Sequence, residues 1–174
     1  MEDIRIEKLD TGDAGLLSKV ALHSYSDHYL HLWHDEGKWY KEKFFSTERL
    51  TEEMTDSNSQ FYLAYYHDEA VGFLKLNINA PLEGFETKNA LELERIYLNK
   101  EVTGKGIGRK LVQLAVNTAK QNHKNIVWLK AMDTSKGSMA FYEKMGFRIK
   151  GTYRLKHHMM KEELRGMVIM VKEL

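Results

Sequence analysis

Apolar and polar residues alternate over residues 3–9, with Ile4 and Ile6 on one face, and this predicts a first strand. Leu16, Leu17, Val20, Ala21 and Ser24 then fall at helical spacing, a helix burying one face that Asp13 is placed to cap. A polar, aromatic stretch follows, carrying Tyr25, Tyr29, Trp33, Trp39 and Tyr40. Ser46 or Thr47 is placed to start a short helix through Leu50 and Met54. Strand-like runs at 60–66 and 70–78 flank His67-Asp68-Glu69, which reads as a hairpin turn. Residues 91–98 (LELERIYL) predict another strand, and 105–121 a helix with Ile107, Leu111, Leu114, Ala115 and Thr118 on one stripe. A short apolar strand at 125–131, a helix at 136–145 ending at Gly146, and strands at 147–154 and 167–172 complete the chain.

This order fixes a fold class. Strands joined by a tight turn are antiparallel, whereas the strand–helix–strand unit at 91–131 requires a right-handed crossover and a parallel pair. The expectation is α/β: a mixed sheet of six or seven strands with helices on both faces. Pro81 lies in a largely polar stretch, residues 79–89, read as a loop between neighbouring strands and not as a domain boundary. The 174 residues are expected to form a single domain, 1–174, able to bury roughly 70% of the unfolded surface.

Composition removes several classes. No cysteine means no disulfide, thiolate metal site or cysteine nucleophile. The start, MEDIRIEKLD, lacks the apolar core of a signal peptide, and no run approaches the roughly 18 apolar residues of a membrane span. A cytoplasmic protein with no membrane partner is expected. Lys+Arg is 26 against Asp+Glu 25, without the basic excess of a nucleic-acid binder.

The segment from Val102 to Lys110 (VTGKGIGRK) joins a strand to a helix. Backbone N–H groups at a helix start form an anion site, and glycines let a ligand approach the main chain. The alternative is a sharp turn with a solvated basic rim. A P-loop needs Ser or Thr after Gly-Lys, but Gly106 follows Lys105; the dinucleotide fingerprint needs G-x-G-x-x-G, but this loop is G-x-G-x-G.

Other candidates carry paired readings. Glu92 and Glu94 share one strand face with Ile96 and Leu98 if the strand is regular. Buried carboxylates need a reason: proton transfer, or ion pairs to Arg95, Lys130 or a neighbouring strand. In FYEKMGF, Phe141 and Phe147 read as core and Gly146 as a left-handed helix cap. Tyr142 is either core or chemistry. His28, His31 and His34 recur every three residues near Asp35, but three such positions drift around a helix; pocket lining or plain surface is favoured over metal. His157-His158 reads as a solvated loop. Tyr25, Tyr29, Trp33 and Trp39 form either a wall for an amine or ordinary packing. Lys136 and Lys144 are exposed lysines or phosphate ligands.

The loop and the FYEKMGF segment together resemble the GNAT superfamily of N-acetyltransferases. The family loop has the form Gln/Arg-x-x-Gly-x-Gly/Ala, and the second motif N-x-x-A-x-x-F-Y-x-K-x-G-F. This chain has Thr103 at the first loop position, Ser135 for Asn and Ser138 for Ala; Phe141, Tyr142, Lys144, Gly146 and Phe147 match. The resemblance implies acetyl-CoA as cosubstrate, no metal, and a small-molecule amine acceptor. It assigns Thr103, Gly104, Lys105, Gly106, Ile107, Gly108 and Arg109 to the pyrophosphate loop, Ile96, Tyr97 and Leu98 to the pantetheine amides, and Ser135 to cofactor contact. It makes Tyr142 the acid that protonates the leaving thiolate and Glu94 the general base. Glu92, Glu94, Tyr29 and Trp33 are assigned to the acceptor. Within the superfamily the runs FLKLN (73–77) and LELERIY (91–97) are most similar to bacterial spermidine/spermine acetyltransferases of the PaiA type. A protein N-terminus, a lysine or an amino-acid-like molecule are alternative acceptors. A non-catalytic coenzyme A-binding module is an alternative of another class. A homodimer is expected from the resemblance alone.

Overall fold

The computed structural model describes residues 3–85 and 89–174; residues 1–2 and 86–88, the latter inside the predicted 79–89 loop, lie outside the described residues. The described strands are β1 (Ile4–Lys8), β2 (Ser59–Tyr66), β3 (Glu69–Asn77), β4 (Ala90–Leu98), β5 (Ile126–Met132), β6 (Arg148–Arg154) and β7 (Gly166–Glu173). They form one sheet in the order β1-β2-β3-β4-β5-β7-β6. Only β4 and β5 run parallel, as the crossover through α4 (Ile107–Gln121) requires.

Local chemistry places most of these elements where the pattern predicts. The β2–β3 hairpin closes with Tyr66 paired to Glu69, so the turn is His67-Asp68. Both residues have positive φ, 48° and 65°, the handedness that matches strand twist. Side chains alternate along β2: Tyr62 and Ala64 enter a core with α4, while Phe61 and Leu63 enter a second core with α1 (Ala14–Ser26). Each such buried side chain contributes about 1.5–3 kcal/mol of hydrophobic stabilisation. The α4 core is completed from α5 (Lys136–Lys144) by Met139 and Tyr142.

The first 50 residues depart from expectation in three details. Leu16 is 42% exposed, because the buried stripe of α1 runs through Leu17, Val20, Ala21 and Ser24 and leaves Leu16 off its edge. Asp13 precedes α1 but does not cap it. Its carboxylate accepts from the Asp10 N–H, while Asp10 accepts from Gly12 N–H, a capping box around a short 3-10 turn. Part of the aromatic stretch is itself a helix, α2 (Lys38–Phe44), entered through Gly37 at φ 82°. Asp35 accepts hydrogen bonds from Gly37 and Trp39 N–H and so initiates it. The predicted Ser46 start holds: its hydroxyl accepts from Arg49 N–H at the head of α3 (Thr47–Met54).

A second correction concerns β4. The register with β3 pairs Lys75 with Arg95 but Leu76 with Leu93, so Glu94 is an extra residue, a β-bulge. The bulge flips the alternation. Leu91 and Leu93 face the α4 core before it, and Ile96 and Leu98 pack on that core after it. Glu92 therefore shares the opposite face with Tyr97 and not, as regular alternation predicts, with Ile96 and Leu98.

Candidate active site

The sheet opens at its centre. Pairing of β4 with β5 covers only Ala90, Leu91 and Glu92, the last opposite Trp128, and then stops. On the other side β4 stays paired with β3 to its end, with Phe73 opposite Tyr97 and Asn99 N–H donating to the Val71 carbonyl. Strand alternation then turns the N–H and C=O groups of Ile96 and Leu98 away from β3, toward the gap. A buried backbone group left unpaired costs about 1–3 kcal/mol, so this edge suits an extended ligand carrying amides. The Leu98 carbonyl already has one partner: His28 Nε2 lies 2.7 Å from it.

The glycine loop lies just beyond. Gly104 and Gly106 have φ of 81° and 84°, and a Cβ on either would meet no protein atom within 4 Å. Their conformation, not crowding, demands glycine, and the space beside them is open to a ligand. Gly106 is the N-cap of α4 and offers no side chain, so no side chain caps the first N–H groups of the helix. Gly108 differs: a Cβ there would sit 3.4 Å from Phe141, so it sets the approach of α4 to α5. Thr103, Lys105 and Arg109 are exposed around the loop.

Ser135 precedes α5, with its side chain free of capping duty. The far end of the helix closes as predicted. Gly146, at φ 94°, donates to Glu143 and Phe147 donates to Tyr142, which seals the last carbonyls in a Schellman motif. Tyr142 projects from this helix into the gap. Burial first, then neighbouring Tyr29, pushes its hydroxyl well above the ordinary tyrosine range.

The gap widens into a cavity of about 370 Å³ joining the two faces of the sheet. Tyr142 and Ser135 line one side; Tyr29, Trp33 and Tyr40 line the other; Glu92, Glu94, Ile96 and Tyr97 lie between them. The two carboxylates have opposite environments. Glu94 Oε2 lies 2.9 Å from Lys75 Nζ and 3.2 Å from Arg95 Nε, held by charge without an aligned hydrogen bond. Burial opposes its ionisation, but Arg95 and Lys75 outweigh burial and hold its carboxyl below the ordinary range. Burial raises Glu92, the Glu94 charge raises it further, and the Asn77 hydrogen bond only partly offsets them.

The aromatic wall is a self-packed stack. Tyr40 lies on Tyr25 with centroids 5.0 Å apart and on Trp33 at 4.7 Å, and Trp33 Nε1 donates to the Tyr25 hydroxyl. Ring faces spent on one another are closed to a cation, so packing accounts for most of this stretch. His157 corrects the expectation of a solvated loop: it is half-buried, lines the cavity and touches Trp33, Trp39, Tyr40 and Phe44. Burial, then Lys43, His158 and Arg165, lowers its pKa and favours the neutral ring. Its loop is sewn to the aromatic segment by His34 N–H to Met159 O and Lys161 N–H to Leu32 O. No local sequence signal could reveal this contact, which spans more than 120 positions. Among the described residues the group with metal-like spacing is His23, Asp27 and Glu101, which includes none of His28, His31 and His34.

A mixed sheet parted at its centre, with an uncapped glycine-rich helix start at one end and a carboxylate and tyrosine inside the gap, defines a site for an extended anionic cofactor and a second, reacting partner. Residues 20–147 match the Acetyltransferase (GNAT) family, and the chain belongs to that family. A spermidine N(1)-acetyltransferase of Thermoplasma acidophilum is 32% identical over 157 residues, covering 86% of this chain and 91% of that protein. An uncharacterized N-acetyltransferase of Lactobacillus delbrueckii subsp. lactis is 30% identical over 105 residues, 60% of this chain. The chain spans 61% of that protein's length and 55% of an uncharacterized N-acetyltransferase of Methanocaldococcus jannaschii. The crystal structure of the Thermoplasma acidophilum PaiA N-acetyltransferase in complex with coenzyme A superposes over the whole of both chains, with a TM-score of 0.78 and 26% identity. No helix among the described residues is long and apolar enough to cross a membrane.

Proposed function

We propose that this chain transfers an acetyl group from acetyl-CoA to a primary amine. The observation that carries the reading is the unpaired edge of β4 at Ile96 and Leu98, lying between the uncapped start of α4 and the Tyr142 hydroxyl. The residues present fit coenzyme A. The main-chain groups of Ile96 and the Leu98 N–H suit the amides of its pantetheine arm, and the N–H groups of the Gly104–Arg109 turn, apart from that of Lys105, which donates to Val102 O, suit its pyrophosphate. Bound there, acetyl-CoA supplies the activated acyl thioester.

The chain's own residues then move two protons. An alkylamine has a reference pKa near 10.4 and arrives protonated, so the site must hold a proton acceptor. Glu92 fits this role better than Glu94, because its raised pKa gives it more affinity for a proton, while Glu94 is committed to two cations. Tyr142, kept neutral by burial, donates to the departing sulfur and is restored by the second proton that the nitrogen sheds as the amide forms. A backbone N–H at the open edge of β4 is positioned to stabilise the developing oxyanion.

The acceptor enters past the aromatic segment and the His157 loop, and Tyr29 and Trp33 bound its path. A polyamine is the finer reading; the likeness to the Thermoplasma spermidine N(1)-acetyltransferase supports it. We place the reaction in the cytoplasm, since a chain without cysteine needs no oxidising compartment. The test is release of free thiol from acetyl-CoA with spermidine, spermine, a lysine peptide and simple monoamines. Amine-dependent release supports the proposal, fastest with polyamines on the finer reading. Tight coenzyme A binding with no release on any amine would leave a non-catalytic binding module.

A further inference from the structure

The most heavily charged part of the interior lies beside the cavity, under α3. Glu53, on the last turn of that helix, accepts from Lys75 Nζ at 2.5 Å and pairs with Arg95 at 3.0 Å and Arg49 at 3.5 Å. Lys75 is 5% exposed and Arg95 8% exposed. The same two cations reach across to Glu94, which hydrogen-bonds Asn77, and Asn77 Nδ2 in turn donates to Glu92 at 3.0 Å. The bulge makes the arrangement, because it brings Glu94 and Arg95, adjacent in the chain, into one set of ion pairs with α3 and β3. Glu53 does not line the cavity.

Resting on the proposed acetyl transfer, we infer that Glu53 is a positioning residue: it anchors Lys75 and Arg95 on Glu94 and so reserves Glu92 as the proton acceptor. Without Glu53, two buried cations face a single carboxylate at the bulge, and their excess charge reaches Glu92. Without Lys75, Glu53 and Glu94 are both short of a counter-charge, and the excess is negative. The charged groups facing Glu92 are Lys75 from β3, Lys130 from β5 and Glu94 on its own strand. His157 enters the same cavity as a ring held neutral, and Tyr25, Tyr29, Tyr40, Tyr97 and Tyr142 are kept neutral by burial. Arg95 also lines the cavity, paired with Glu53 and Glu94, and among the described residues the lining holds no further strong charge to buffer the change.

The prediction is a pair of opposite shifts. Glu53→Gln stabilises the Glu92 anion and moves its titration down by about one pH unit, and Lys75→Met moves it up by about the same. The pair Glu53→Gln/Lys75→Met removes one charge of each sign and returns it close to wild type. A merely structural role predicts lower stability in all three with no ordered shift. The direct readout is 13C-carboxyl NMR of glutamate-labelled protein, with Glu92 assigned by loss of its resonance in Glu92→Gln. This reading needs no turnover. If the titrations move as stated and no amine releases thiol, the charge device stands and the acetyl-transfer reading falls. If amines turn over but both single variants shift together or not at all, the positioning role of Glu53 falls. In the active enzyme the acid limb of kcat/KM follows the same order.

Discussion

Glu92 and Glu94 stand two positions apart on β4 and accept hydrogen bonds from the same Asn77 amide nitrogen, at 3.0 and 3.1 Å, yet their carboxyls are pushed in opposite directions. The bulge at Glu94 accounts for the difference. It commits one carboxylate to Lys75 and Arg95 and leaves the other in the cavity with no cation in contact among the described residues.

Glu92→Gln is expected to lower kcat/KM by about 100-fold, the lower end of what a positioned acid or base supplies. In wild type, Glu92 must lose its proton before it can accept one from the amine. Activity therefore falls as pH drops through its raised pKa, and steady-state profiles of the variant lose that acid limb.

Glu94→Gln is expected to act on stability more than on chemistry. At neutral pH it costs about 2 kcal/mol in denaturant unfolding, because the Asn77 amide loses a charged acceptor and Lys75 and Arg95 lose a counter-charge. Because the folded pKa of Glu94 is depressed, its contribution is complete above its ordinary value of 4.5 and is lost as pH falls below that. Wild type should thus lose more stability than the variant on acidification below pH 4.5. Equal losses would mean that the pairing with Lys75 and Arg95 is energetically idle.

Tyr142→Phe keeps the ring and its packing and removes only the hydroxyl. The expected result is a fall in kcat of about 100-fold with acetyl-CoA affinity unchanged by calorimetry. The hydroxyl titrates above the ordinary tyrosine range, so it stays protonated through the working range and adds no basic limb to the wild-type profile. An equal loss of affinity would make Tyr142 a packing residue.

Gly106→Ala and Gly84→Ala form a controlled pair. Both glycines have positive φ, 84° and 86°, and an added Cβ on either meets none of the described residues within 4 Å. Each substitution should cost about 1 kcal/mol of stability. Only Gly106→Ala should weaken acetyl-CoA binding, by about tenfold or more, since only its Cβ enters the proposed phosphate site.

The sequence was most informative where structure is local. The periods of β2, β3 and α4, the His67-Asp68 turn and the Gly146 cap depend on neighbours a few residues away, and all are legible. The glycine loop and the FYEKMGF segment were legible for the same reason. What escaped was set by pairing between distant segments. Whether Glu94 is a regular strand residue or a bulge depends on the register with β3, and that decides which acid is free. His157 meets Trp39 because the loop before β7 crosses over the aromatic segment. Lys75 was the one available hint: a lysine inside the apolar run of β3 needs a buried partner, but nothing in the chain names Glu53 as that partner.

On the proposed function, the gap beyond Glu92 receives coenzyme A as an added strand. Amide hydrogen exchange at Ile96 and Leu98, with and without coenzyme A, tests it most directly. Both amides are expected to exchange readily in the free protein and to slow by about tenfold or more when coenzyme A binds, while Tyr97, already paired with Phe73, changes little. Binding that protects the Gly104–Arg109 loop but leaves Ile96 and Leu98 unchanged would contradict it.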